Sequence, residues 1–319
     1  MPTQSRKLPR LPVFLAALAV AVIPAFGRAA DLPKYLPNAT EAVVSVNMKQ
    51  LLEAPLVKDN FDNIKLLSRA FAGDAIKAVE DLGIDPFTDV ERVTMALPGG
   101  QQPENGVVFV QGKFDADKIK SKAETMAKEH KDVLQKVEKG GYSCWELTPP
   151  GTDRKIYIAQ IDDKTLAASH THDFVVDALA KQAGKKAHEM NRELAGLLEK
   201  AKFDQSISFV GLPGQLANLG QGGEVFGRLQ NVVGGITLTD EVKLEVGLNA
   251  RNQDEAKIVQ QQIKDALNLV KGILQTQVGK KPELKSAVEA LEQFKVDQAG
   301  NTVTLRGQIT KELIEKLKP

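Results

Sequence analysis

Residues 234–274, GGITLTDEVKLEVGLNARNQDEAKIVQQQIKDALNLVKGIL, read as a β-hairpin that feeds a long amphipathic helix. Ile236, Leu238, Val242, Leu244, Val246 and Leu248 alternate with Thr237, Thr239, Lys243, Glu245 and Gly247, which gives each strand one apolar and one polar face. Asp240-Glu241 marks the turn. Asn252 followed three residues later by Glu255 has the form of a capping box and sets the helix start. Ile258, Val259, Ile263, Leu267, Val270 and Leu274 then recur at helical spacing as one apolar stripe.

Residues 90–126, VERVTMALPGGQQPENGVVFVQGKFDADKIKSKAETM, carry the same strand–strand–helix order. Asp115 is placed to cap the helix, with Ile119, Ala123 and Met126 on its apolar side. A strand feeding a helix precedes each unit, at Ala42–Asn47 and at Ser206–Leu212. Further strands follow each unit, at Tyr142–Thr148, Lys155–Ile161 and Thr165–Ser169, and at Phe294–Asp297 and Thr302–Ile309. The expectation is an α+β protein of two similar halves, 30–190 and 191–319, each an antiparallel-rich sheet packed with helices on one side.

Residues 1–29 have the form of an export signal. Arg6, Lys7 and Arg10 precede the apolar stretch Leu11–Phe26, and Gly27-Arg28-Ala29 ends in small residues suited to cleavage. The expected location is periplasmic or extracellular, with an uncleaved N-terminal anchor as the alternative. No later stretch has the length to span a membrane, so the mature chain is expected to be soluble. Removing 1–29 leaves 38 basic against 41 acidic residues, a formal charge of −3. That balance, with one Trp and 5% aromatic residues, gives nucleic acid neither a basic stripe nor a stacking platform.

The single cysteine, Cys144, cannot form an internal disulfide, and its strand context reads as a small buried hydrophobe. His170 and His172 are the one close histidine pair and the only metal-ligand candidates; alternate residues on a strand would share a face. No third ligand follows at a recognised spacing, so no metal and no cofactor is expected. Leu97-Pro98-Gly99-Gly100, Leu212-Pro213-Gly214 and Gly220–Gly223 are turn or loop sequences without the spacing of a phosphate loop. No nucleophile elbow or zinc-protease motif is present, and no catalytic residue is assigned.

YLPNATEAVVSVNMKQLLEAPLVKD (35–59) and LGIDPFTDVERVT (82–94) resemble a group of exported proteins abundant in planctomycete bacteria, a group with no established activity. The resemblance implies export and carries no functional residues with it. The reading from sequence is a non-enzymatic interaction or binding protein of the cell envelope, with an unknown protein or envelope component as partner. The alternatives are a carrier of an apolar ligand held against helix 252–277, and an envelope hydrolase lacking a local motif. A carrier calls for a pocket of roughly 300 Å3 or more.

Overall fold

A computed structural model describes residues 34–317, apart from 63, 67–75, 78, 101–105, 150, 152, 202, 217–222, 280 and 282–283. The expected export segment and the loop at 220–222 therefore lie outside the described residues, as does much of the helix expected over 63–82.

The strands are β1 (Thr40–Val46), β2 (Val90–Pro98), β3 (Val107–Gly112), β4 (Leu134–Lys139), β5 (Tyr142–Leu147), β6 (Ile156–Asp162), β7 (Thr165–Ser169), β8 (Ile207–Gly211), β9 (Leu229–Leu238), β10 (Val242–Ala250), β11 (Lys295–Ala299) and β12 (Thr302–Ile309). All twelve join one antiparallel sheet in the order β11-β12-β10-β9-β8-β1-β2-β3-β7-β6-β5-β4. The helices are α1 (Met48–Glu53), α2 (Pro55–Lys58), α3 (Ala116–Glu129), α4 (His172–Gln182), α5 (Arg192–Lys200), α6 (Pro213–Leu216), α7 (Gly223–Phe226), α8 (Gln253–Val278), α9 (Leu284–Glu292) and α10 (Lys311–Leu317). The α+β class is as expected, and the sheets of the two halves are one sheet.

The halves meet where β1 pairs with β8, with Val43 opposite Val210 and Val44 opposite Phe209. Two backbone bonds close the ends of this ladder: Asn47 N–H donates to the Ser206 carbonyl at 2.7 Å, and Leu212 N–H to the Glu41 carbonyl at 2.8 Å. On either side the connections run in similar order. One side has β1, α1 and α2, β2, β3, the crossover helix α3, the hairpin β6–β7 and α4; the other has β8, α6 and α7, β9, β10, the crossover helix α8, the hairpin β11–β12 and α10. The hairpin β4–β5 belongs to the first side alone. The parallel between the two sides is one of connection order.

Helices pack on both faces of the sheet, where one side was expected. The central strands require this, because β1 carries Val43 and Val44 on successive positions and so is apolar on both faces. Val43, Ala96, Phe109, Ala167 and Cys144 form one core with Val175 and Ala178 of α4. Val44, Val46, Val93 and Val110 lie on the opposite face with Leu51 of α1 and Ile119 of α3. Farther along that second face, Val232, Leu248 and Val303 meet Ala256 and Val259 of α8.

Local chemistry sets the boundaries. Asn252 accepts from the backbone N–H of Asp254 and Glu255, and Asp115 from that of Lys118, so both expected caps form. Gly140 and Gly141, at φ +59° and +79°, make the two-residue turn between β4 and β5; a turn of this kind needs positive φ at both central positions. The lead-in at 34–40 is tied down by Tyr35 Oη donating to Asp162 Oδ2 (2.8 Å) and by Lys181 Nζ donating to the Leu36 carbonyl (2.5 Å). Lys181 also pairs with Asp177 at 2.6 Å, and Asp177 pairs in turn with Lys186. Burial lowers the Lys181 pKa and the Asp177 charge opposes that shift. In the sequence Asn38-Ala39-Thr40, which has the form of a glycosylation acceptor, Thr40 is buried and its hydroxyl bonds the Pro37 carbonyl at 2.6 Å.

Candidate functional site

Two places gather the features of a site: the surroundings of Cys144 and the outer part of α8. The first gathers the residues singled out from sequence. Alternation along β5 turns Cys144 toward the face covered by α4, where it is 3% exposed. β7 ends at Ser169, and His172 is the first residue of α4. His170 and His172 therefore do not sit on one strand, and the shared face expected for them does not form. His170 Nδ1 lies 2.7 Å from the Lys155 carbonyl. His172 turns inward, stacks on Tyr157 with ring centroids 4.4 Å apart and places Nε2 3.1 Å from Cys144 Sγ. Among the described residues no group of three or more His, Cys, Asp or Glu side chains is placed to hold a metal ion.

The Cys144–His172 contact supplies the partnered histidine that the sequence did not reveal. The two residues are 28 apart, and only the adjacency of β5, β6 and β7 brings them together. Their electrostatics oppose activation. Burial, then the charge of Glu146, pushes the Cys144 thiol up to about 11. Burial, then the nearby Lys139 ammonium, lowers the His172 pKa. At neutral pH both groups are held uncharged, whereas a nucleophilic cysteine needs its thiolate. Glu146 is occupied by Lys155 at 2.7 Å.

The second place arises from a mismatch of lengths. The 26 residues of α8 span about 39 Å, while the nine-residue β10 spans about 30 Å. Ala256 and Val259, in the first turns, are fully buried against the sheet. The later turns run past this support and lean on α9, with Lys271 paired to Glu292 at 2.5 Å. Between them lies an open groove of about 270 Å3. Ile263, Ala266, Leu267 and Val270 of α8 form one wall, and Leu291 of α9 and Val225 of α7 complete it. The polar residue in the lining is Gln262, whose buried Oε1 has no hydrogen-bond partner among the described residues. Apolar surface continues outward through Leu269 (65% exposed) and Ile273 (51% exposed). The expected stripe is therefore core only in part: Val259 is buried and Ile263 packs against the same cluster, whereas Ile258 and Val270, placed on it from the spacing, are exposed.

Among the described residues no helix is long and apolar enough to cross a membrane. No protein-family model matches the chain, and no curated protein matches it. A solved structure titled "Structure of crystal form I of TP0453" aligns with a TM-score of 0.47 at 10% identity, covering 92% of this chain and 98% of that one. A likeness of that degree transfers no role.

Proposed function

We propose that the chain is an exported, non-enzymatic binding protein of the cell envelope that holds part of an apolar ligand in the α8–α9 groove. The observation that carries this reading is the exposed apolar surface of α8 at the groove and just beyond it, formed by Ala266, Leu269, Val270 and Ile273. Exposed aliphatic surface that is contiguous, concave and free of charge is a recurrent mark of a binding face. At about 270 Å3 the groove is slightly below the usual range of ligand clefts, and it is open. It suits a ligand gripped along one side better than one enclosed whole. Cys144 and His172 argue against the hydrolase alternative, because the thiol is buried and held protonated. The resemblance to exported planctomycete proteins and the form of residues 1–29 support the envelope location.

A dansyl-labelled alkyl chain, followed by fluorescence titration alongside native mass spectrometry of the purified protein, tests the proposal. Wild type is expected to bind it saturably. Ala266→Trp fills the groove from an exposed position and is expected to weaken binding by about tenfold or more, equivalent to about 1.4 kcal/mol. Absence of saturable binding to wild type, or equal affinity in the variant, overturns the reading.

A further inference from the structure

A second cleft, of about 210 Å3, opens on the sheet face that carries α1 and α3. Its construction is unlike that of the groove. Val90 lies at its base, and the ring of Phe87 forms a side wall. Phe61 packs edge-on against that ring at 5.8 Å and 85°, and the Lys65 ammonium stands over it, 5.5 Å from its centroid. Two cations and two anions line the opening: Lys49 and Glu53 on α1, Glu91 on β2, and Lys113 just after β3. Lys113 and Glu91 face each other at 3.6 Å. Lys49 and Glu53 are one helical turn apart and have no ion-pair partner among the described residues.

From this lining we infer that the cleft binds a small aliphatic zwitterion of the α-amino-acid type. The four charges sum to zero, so a simple anion meets two carboxylates and a metal cation meets two ammonium groups. A neutral molecule carrying one ammonium and one carboxylate can instead place each charge against an opposite one, with Lys49 facing its carboxylate and Glu53 its ammonium. At about 210 Å3 the cleft is below the usual range of ligand clefts, which leaves room for a single amino acid and too little for a peptide. Val90 and Phe87 then receive the aliphatic side chain. Because the charged rim is exposed, the attraction is screened, and a weak affinity that falls with added salt is expected.

Isothermal titration of the full chain with L-leucine tests this. Saturable binding is expected, with a dissociation constant on the order of 1 mM or tighter. N-acetyl-leucine and leucinamide each lack one of the two charges, and both are expected to bind about tenfold more weakly. The double variant Lys49→Met/Glu53→Gln alters exposed side chains, so it keeps its fold by circular dichroism and loses leucine binding by the same factor. No saturable binding of L-leucine at concentrations on the order of 10 mM overturns the inference, as does equal binding by the derivatives or by the folded double variant. Alkyl-probe binding in the α8–α9 groove reports separately, since none of these changes touches it.

Discussion

The two crossover helices, α3 and α8, occupy matching places in the connection order and meet the sheet differently. α3 has 14 residues, turns Ile119 and Ala123 inward and otherwise presents mostly lysines, glutamates and other polar groups. α8 has 26 residues, buries Ala256 and Val259 and carries leucine, valine and isoleucine into solvent. The difference teaches that an amphipathic stripe specifies which side of a helix is apolar, not how much of that side has a partner. Where helix and sheet match in length the stripe is consumed as core. Where the helix is longer, the remainder is available for another purpose.

The sharpest way to break this comparison is to truncate apolar side chains on both sides. Phe109, fully buried in the first-half core, is expected to cost about 3–5 kcal/mol as Phe109→Ala. Ile273→Ala, on the uncovered part of α8, is expected to change stability by no more than about 0.5 kcal/mol. Urea denaturation measures both, and equal losses would mean that the outer stripe is covered in solution.

A second pair of variants compares two glycines of the β9–β10 hairpin, whose strands carry the core under α8. A Cβ on Gly234 of β9 would lie 2.5 Å from the Phe209 ring and 2.9 Å from the Glu245 carbonyl, so Gly234→Ala is expected to destabilise by about 1–3 kcal/mol. At Gly247 the nearest atom, the Val233 carbonyl oxygen, is 3.6 Å away, and Gly247→Ala is expected to be close to neutral. Thermal melts separate the two.

The effect confined to the narrowest range of conditions concerns pH. The Cys144 thiol rises from its ordinary 9.0 to about 11 on folding. A raised value for a group that is neutral when protonated stabilises the fold fully below about pH 9, and that contribution is lost as pH climbs through about 11. Cys144→Ala is therefore expected to flatten the alkaline arm of the stability–pH curve. An unchanged alkaline arm would place the thiol in a wetter setting than its burial indicates.

Much of this architecture was legible from residue order. The hairpin β9–β10, the caps at Asn252 and Asp115, and the final hairpin all follow from period-two alternation and turn chemistry. β4 was not foreseen, because LQKVEK offers only Leu134 and Val137 as apolar positions. It is an edge strand, and charged side chains suit such a strand without advertising it. Residue order does not reveal the β1–β8 seam, since either strand's pattern fits a sheet interior without naming its neighbour. The Cys144–His172 contact and the two clefts depend on tertiary adjacency and have no local signal. His170 and His172 show the converse error: their spacing suits a shared strand, but the strand ends at Ser169, three residues short of His172.

The two proposed pockets are built from different elements. The cleft is lined by residues of α1, of β2 and of the segments beside β2 and β3, the groove by residues of α7, α8 and α9. No side chain is common to both linings. Occupancy of one pocket therefore leaves the affinity of the other as it was, and a variant altered in both loses the sum of the two separate losses.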